Sequence, residues 1–98
     1  MTNKEYILSE LQQHKRELHD LGIIKIGLFG SYVRDDQSEK SDIDILVEFA
    51  PEKESFDNFM SVYDILEKIF KNEKVELVTK KSLSPYIGPH ILKEVMYA

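Results

Sequence analysis

The sequence predicts a small α/β domain, and three observations carry the prediction. An apolar run from Ile23 to Phe29 stops at Gly30-Ser31, and a second apolar run opens at Ser41-Asp42-Ile43-Asp44. Apolar residues at helical spacing flank this pair on both sides, and a third short apolar run lies from Lys74 to Thr79. The expected architecture is a small mixed sheet of three or four strands, with helices packed on one face and an acidic site on the other. All 98 residues are expected to form one domain, 1–98, able to bury roughly 60–70% of its unfolded surface.

Taken in order, Thr2 with Glu5 has the form of a capping box, and Ile7, Leu11, Leu18 and Leu21 recur at helical spacing, so a first helix is expected over about residues 3–20. His14 and His19 fall among its charged residues and read as surface positions. Leu21-Gly22 breaks the helix before a strand from about Ile24 to Phe29. Ser31 to about Asp35 forms a short helix, and Asp35 to Lys40 is a polar connection.

The second strand carries the chemistry. Its side chains alternate, so Ile43, Ile45, Val47 and Phe49 form an apolar face while Asp42, Asp44, Leu46 and Glu48 take the other. Asp42 and Asp44 are then about 7 Å apart along the strand, where like charges repel unless a cation or solvent separates them. Magnesium suits such a pair, because it is held by one or two carboxylates together with substrate phosphates. The Gly30-Ser31 turn offers backbone N–H groups and a hydroxyl for phosphate oxygens. Gly-Ser alone is an ordinary turn, and Asp-x-Asp alone is an ordinary solvated strand start. Their order and spacing between two strands make the combination specific.

These residues resemble the signature of the nucleotidyltransferase superfamily related to DNA polymerase β, which is Gly-Ser followed by Asp-x-Asp on the next strand. Gly30-Ser31-Tyr32-Val33-Arg34 and Ser41-Asp42-Ile43-Asp44 are most similar to its minimal nucleotidyltransferase branch, small proteins often encoded beside a HEPN-domain ribonuclease toxin. The resemblance runs from Ile24 to about Tyr97. It implies that Asp42 and Asp44 bind two magnesium ions, that Gly30 and Ser31 hold the β- and γ-phosphates, and that ATP is the substrate. Arg34, one turn into the short helix, either reaches a phosphate or braces the acidic loop through Asp35 or Asp36, and the bracing role is the favoured one.

The rest of the chain fits this frame. Ala50-Pro51 ends the second strand, and Ser55 caps a helix reaching about Phe70, with Asp57 in its first turn. That helix carries more apolar residues than one stripe needs, including Phe56, Phe59, Met60 and Tyr63, so it is either buried on two sides or turned toward a partner. In the third strand Val75, Leu77 and Thr79 face the helices, which leaves Glu76 on the face of Asp42 and Asp44. The superfamily resemblance puts a third acid there, usually Asp; Glu76 in its place shifts the carboxylate by about one bond length. By that resemblance Glu76 helps bind the metal that activates the attacking hydroxyl. Ser84-Pro85 and Gly88-Pro89 read as cap-proline starts, and Ile91, Leu92, Val95 and Met96 as the stripe of a terminal helix with His90 near its beginning.

Composition narrows the function. A net charge of −5 argues against nonspecific binding to a nucleic-acid backbone. The absence of cysteine removes disulfides and thiolate metal sites, and the polar N-terminus lacks a signal-peptide core, so a cytoplasmic location with no membrane association is expected. The resemblance then implies an antitoxin that transfers AMP from ATP to a tyrosine hydroxyl of its HEPN ribonuclease toxin. Two rivals stand beside it: an antitoxin acting by steric cover alone, and an enzyme that nucleotidylates a small molecule.

Overall fold

The computed structural model describes residues 2–98. Helix α1 spans Lys4–Gln13 and α2 Lys15–Asp20, followed by strand β1 at Ile23–Phe29, a single-turn helix α3 at Ser31–Arg34 and strand β2 at Ile43–Phe49. After a 3-10 turn at Pro51–Lys53 come helix α4 at Phe56–Ile69, strand β3 at Val75–Thr79, a second 3-10 turn at Lys80–Ser82, helix α5 at Gly88–Glu94 and strand β4 at Met96–Tyr97.

The N-terminal helix differs from the sequence expectation in two ways. Its cap is Asn3, whose side chain accepts from the Tyr6 N–H at 2.9 Å, while the Thr2 hydroxyl is drawn off to Glu73 at 3.0 Å. No Thr2–Glu5 capping box forms. The helix also breaks at His14, where the ring Nδ1 and the backbone N–H both lie on the Glu10 carbonyl, at 2.9 and 3.2 Å. A side chain competing for a helical carbonyl disturbs the ladder, and the chain restarts as α2.

The sheet has the order β3-β2-β1-β4. β1 and β2 are antiparallel, β2 and β3 parallel, and β4 runs antiparallel to β1. A bulge between Ile23 and Lys25 leaves Ile24 exposed and starts the strand one residue earlier than the apolar pattern suggests. The alternation in β2 holds: Ile43, Ile45, Val47 and Phe49 join Ile7, Leu11, Leu18, Val62, Leu66 and Phe70 in one core between the sheet and helices α1, α2 and α4. Each such fully buried aliphatic side chain is worth about 1.5–3 kcal/mol relative to exposure.

Helix α4 starts at the expected cap, with the Ser55 side chain accepting from the Asn58 N–H at 3.1 Å. Its apolar excess resolves mostly inward: Val62 and Leu66 are buried, and Phe59, Ile65 and Ile69 pack at the core edge. Phe56 is left out, 76% exposed.

The C-terminus is a correction. The terminal helix stops at Glu94, and Val95 and Met96 leave it in an extended conformation that becomes β4. Gly27 makes this possible, since a Cβ there would lie 2.7 Å from Val95 Cγ2 and 2.9 Å from the Met96 carbonyl oxygen. The strand is closed by the Ala98 N–H donating to the Ile26 carbonyl at 2.9 Å. The proline starts also resolve differently: Ser84 Oγ accepts from the Ile87 N–H at 3.1 Å to close a turn, and α5 begins at Gly88 with Ile87 as its cap.

Candidate active site

Strand register assembles the site. Phe29, the last residue of β1, lies opposite Asp44, and Asp44 lies opposite Glu76 across the parallel pair. Immediately after Phe29 the backbone turns at Gly30 with φ +82°, a conformation glycine adopts without strain. A Cβ at Gly30 would stand 2.1 Å from Asp44 Oδ2, so the turn and the carboxylate touch directly. Phe29, Asp44 and Glu76 therefore form a row across three strands, with Gly30 just past the end of β1 and half-buried Asp42 just ahead of β2.

The electrostatics of this row are strained by like charge. Burial first, then a hydrogen bond to Glu76, then the charges of Glu76 and Asp42, push the Asp44 carboxyl from 3.8 up to about 7, against a smaller downward pull from Arg34. Asp44 thus keeps its proton toward neutral pH and donates it to Glu76. Added positive charge would relieve the crowding. Among the described residues no group of three or more histidine and acidic side chains closes into a metal cage. That is compatible with magnesium, which takes one or two protein carboxylates and fills its remaining positions from phosphate and water.

Ser31 opens α3 and is half-buried, and its carbonyl accepts the Asp36 N–H at 3.1 Å. Arg34 braces the acidic loop as expected, through Asp36 of the two candidate partners, with Nε 3.3 Å from Oδ2. Asp35 instead pairs with Lys4 at 2.9 Å. Arg34 has a second partner that the sequence reading missed. Glu94, at the end of α5, takes Arg34 Nη1 at 3.1 Å to each carboxylate oxygen, and its Oε1 accepts the Gly30 N–H at 2.5 Å. Nothing local in Ile91 to Met96 marks Glu94 beyond being a charge beside an apolar stripe; only the pairing of β4 with β1 brings it to the turn.

The glycine turn at the end of one strand thus touches Asp44 near the start of the next, with Glu76 on the third strand opposite Asp44. The nucleotidyltransferase domain family matches residues 11–97, and the chain belongs to that family. It is 43% identical over 98 residues to the protein adenylyltransferase MntA of Thermococcus cleftensis, covering 99% of this chain and 97% of that one. A solved chain assigned to the minimal nucleotidyltransferases superposes with a TM-score of 0.83 at 22% identity, covering 97% of this chain and 95% of its own. The MNT antitoxin fold also appears in the complex with a tri-AMPylated Shewanella oneidensis HEPN toxin, where the match has a TM-score of 0.57 at 22% identity over 88% of this chain and 69% of that one. No helix among the described residues is long and apolar enough to cross a membrane.

Proposed function

We propose that this chain is a cytoplasmic antitoxin that transfers AMP from ATP to a tyrosine hydroxyl of a HEPN-type ribonuclease partner and thereby silences it. The observation that carries the reading is the strand register that sets Gly30, one residue past β1, against Asp44 and sets Asp44 opposite Glu76, with Asp42 just ahead of β2. The 43%-identical Thermococcus chain, named a protein adenylyltransferase, and the AMPylated toxin held by the Shewanella antitoxin support the same chemistry and the same class of partner.

In this reading the Gly30-Ser31 turn holds the β- and γ-phosphates through Ser31, because the Gly30 N–H already donates to Glu94. The tyrosine oxygen attacks the α-phosphorus, forming the O–P bond of a phosphodiester, and the bond from that phosphorus to the bridging oxygen breaks so that pyrophosphate leaves. The phenolic proton passes to Glu76, which is exposed while Asp44 is half-buried. Asp42 and Asp44 would hold magnesium, with Glu76 beside them, and the ion would supply charge that offsets the phosphates and polarises the α-phosphate. The acidic surface charge is compatible with a nucleotide whose phosphates arrive with their cations.

The test is label transfer from α-labelled ATP with magnesium, comparing wild type with Asp44→Asn in the presence of a co-expressed toxin. A labelled toxin band with wild type, and its loss in the variant, is the expected result. Undiminished transfer by Asp44→Asn would sink the assignment of the carboxylates. No label with a toxin that still co-purifies would leave steric cover as the mode of neutralisation.

A further inference from the structure

Glu94 plays no chemical part in the reading above, yet its carboxylate meets the Gly30 turn of that reading and the Arg34 guanidinium one turn further on. It accepts the Gly30 N–H at 2.5 Å and holds Arg34 Nη1 at 3.1 Å from each oxygen, while Asp36 takes Arg34 Nε at 3.3 Å. Among the described residues, Arg34 Nη2 has no protein acceptor. The guanidinium is close enough to the acidic row that its charge acts on Asp44.

Local preference does not explain this placement. Glu94 is the last residue of α5, where the helix dipole disfavours a carboxylate. It is held there by its long-range partners and by the strand that follows, whose residues Met96 and Tyr97 pair with Leu28 and Gly27. The result is a charge-assisted contact fixing a long side chain that is otherwise free to rotate. A cation fixed before its ligand arrives does not lose that freedom on binding.

We propose that Glu94 is a positioning residue for the nucleotide: it holds Arg34 so that its Nη2 edge stays open to a phosphate oxygen. This rests on the nucleotidyltransferase reading of the site. It makes the C-terminal segment part of the nucleotide site, although that segment contributes none of the acidic row.

The experiment is calorimetric titration of magnesium and AMP-PNP, a non-hydrolysable ATP analogue, into wild type, Glu94→Gln, Arg34→Ala and the double variant. Glu94→Gln keeps the shape and removes the charge. It is expected to weaken binding about tenfold, the loss of one charge-assisted contact, with Arg34→Ala at least as damaging. The double variant is expected to bind no more weakly than Arg34→Ala alone, because Glu94 acts through Arg34. A merely structural role would not produce that coupling. Glu94→Asp, one methylene short, supplies the same cycle where the amide variant fails to fold. Unchanged affinity in Glu94→Gln, or additive losses in the double variant, would overturn the proposal. So would tighter binding, which would make Glu94 a competitor of phosphate. Failure of wild type itself to bind would instead overturn the nucleotide reading on which it stands.

Discussion

At the residue scale the decisive group is Asp44, because its placement costs stability. In the folded chain it keeps its proton up to about pH 7, whereas its unfolded value is near 3.8. Across that window the unfolded state binds fewer protons, so the group's contribution is fully present below about pH 4 and is lost as pH rises through about 7. Asn at this position has no proton to lose. Asp44→Asn is therefore expected to melt above wild type in metal-free buffer at about pH 8, with the gap narrowing as the pH is lowered toward 4. Thermal melts across pH check this without any activity measurement. A wild type more stable than the variant at pH 8 would mean that Asp44 is not crowded in the apo protein. The crowding has a plain source: Asp44 stands beside two further acids, Glu76 and Asp42.

At the scale of elements, β4 decides how the site is completed. Gly27 sits on β1 opposite Tyr97, and any Cβ there runs into Val95 and the Met96 carbonyl. Gly27→Val is expected to displace β4, to free Glu94 from Gly30 and Arg34, and to leave the helix-facing core closed, since that core lies between the sheet and α1, α2 and α4. Hydrogen exchange would show it as lost protection at Ala98, whose N–H is held by Ile26, with Ile45 and Val47 still protected. Protection at Ala98 unchanged from wild type would refute the packing argument.

What could be read from sequence follows the same division. The alternation of β2, the Ser55 cap and the Gly-Ser turn are local, and each appears where its own residues put it. The cap at Asn3 rather than Thr2 depended on Glu73 claiming the Thr2 hydroxyl from far along the chain. The conversion of Val95 and Met96 from helix to strand depended on the space at Gly27, and Glu94 could not be found until that strand was placed. A two-residue strand has no periodicity to detect.

At the scale of the whole molecule, the fold is a slab with extents of 36 × 31 × 19 Å, and its helices cover the sheet face that carries Ile43, Ile45 and Val47. The acidic row belongs to the opposite face, where Glu76 is exposed and Asp42 and Asp44 are only half-buried. An open face of this kind does not exclude water, and exclusion of water is what makes fixed charges effective on a transferring phosphoryl group. Under the proposed function the missing wall and the acceptor hydroxyl both come from the partner. Turnover of α-labelled ATP should then depend on that partner. The pure chain is expected to label neither itself nor small hydroxyl compounds at an appreciable rate, and addition of the HEPN-type toxin is expected to start transfer. Measuring pyrophosphate release with and without toxin separates the cases. Rapid release by the chain alone, with a small alcohol as acceptor, would mean that this face closes without a partner, and would turn the assignment toward small-molecule nucleotidylation.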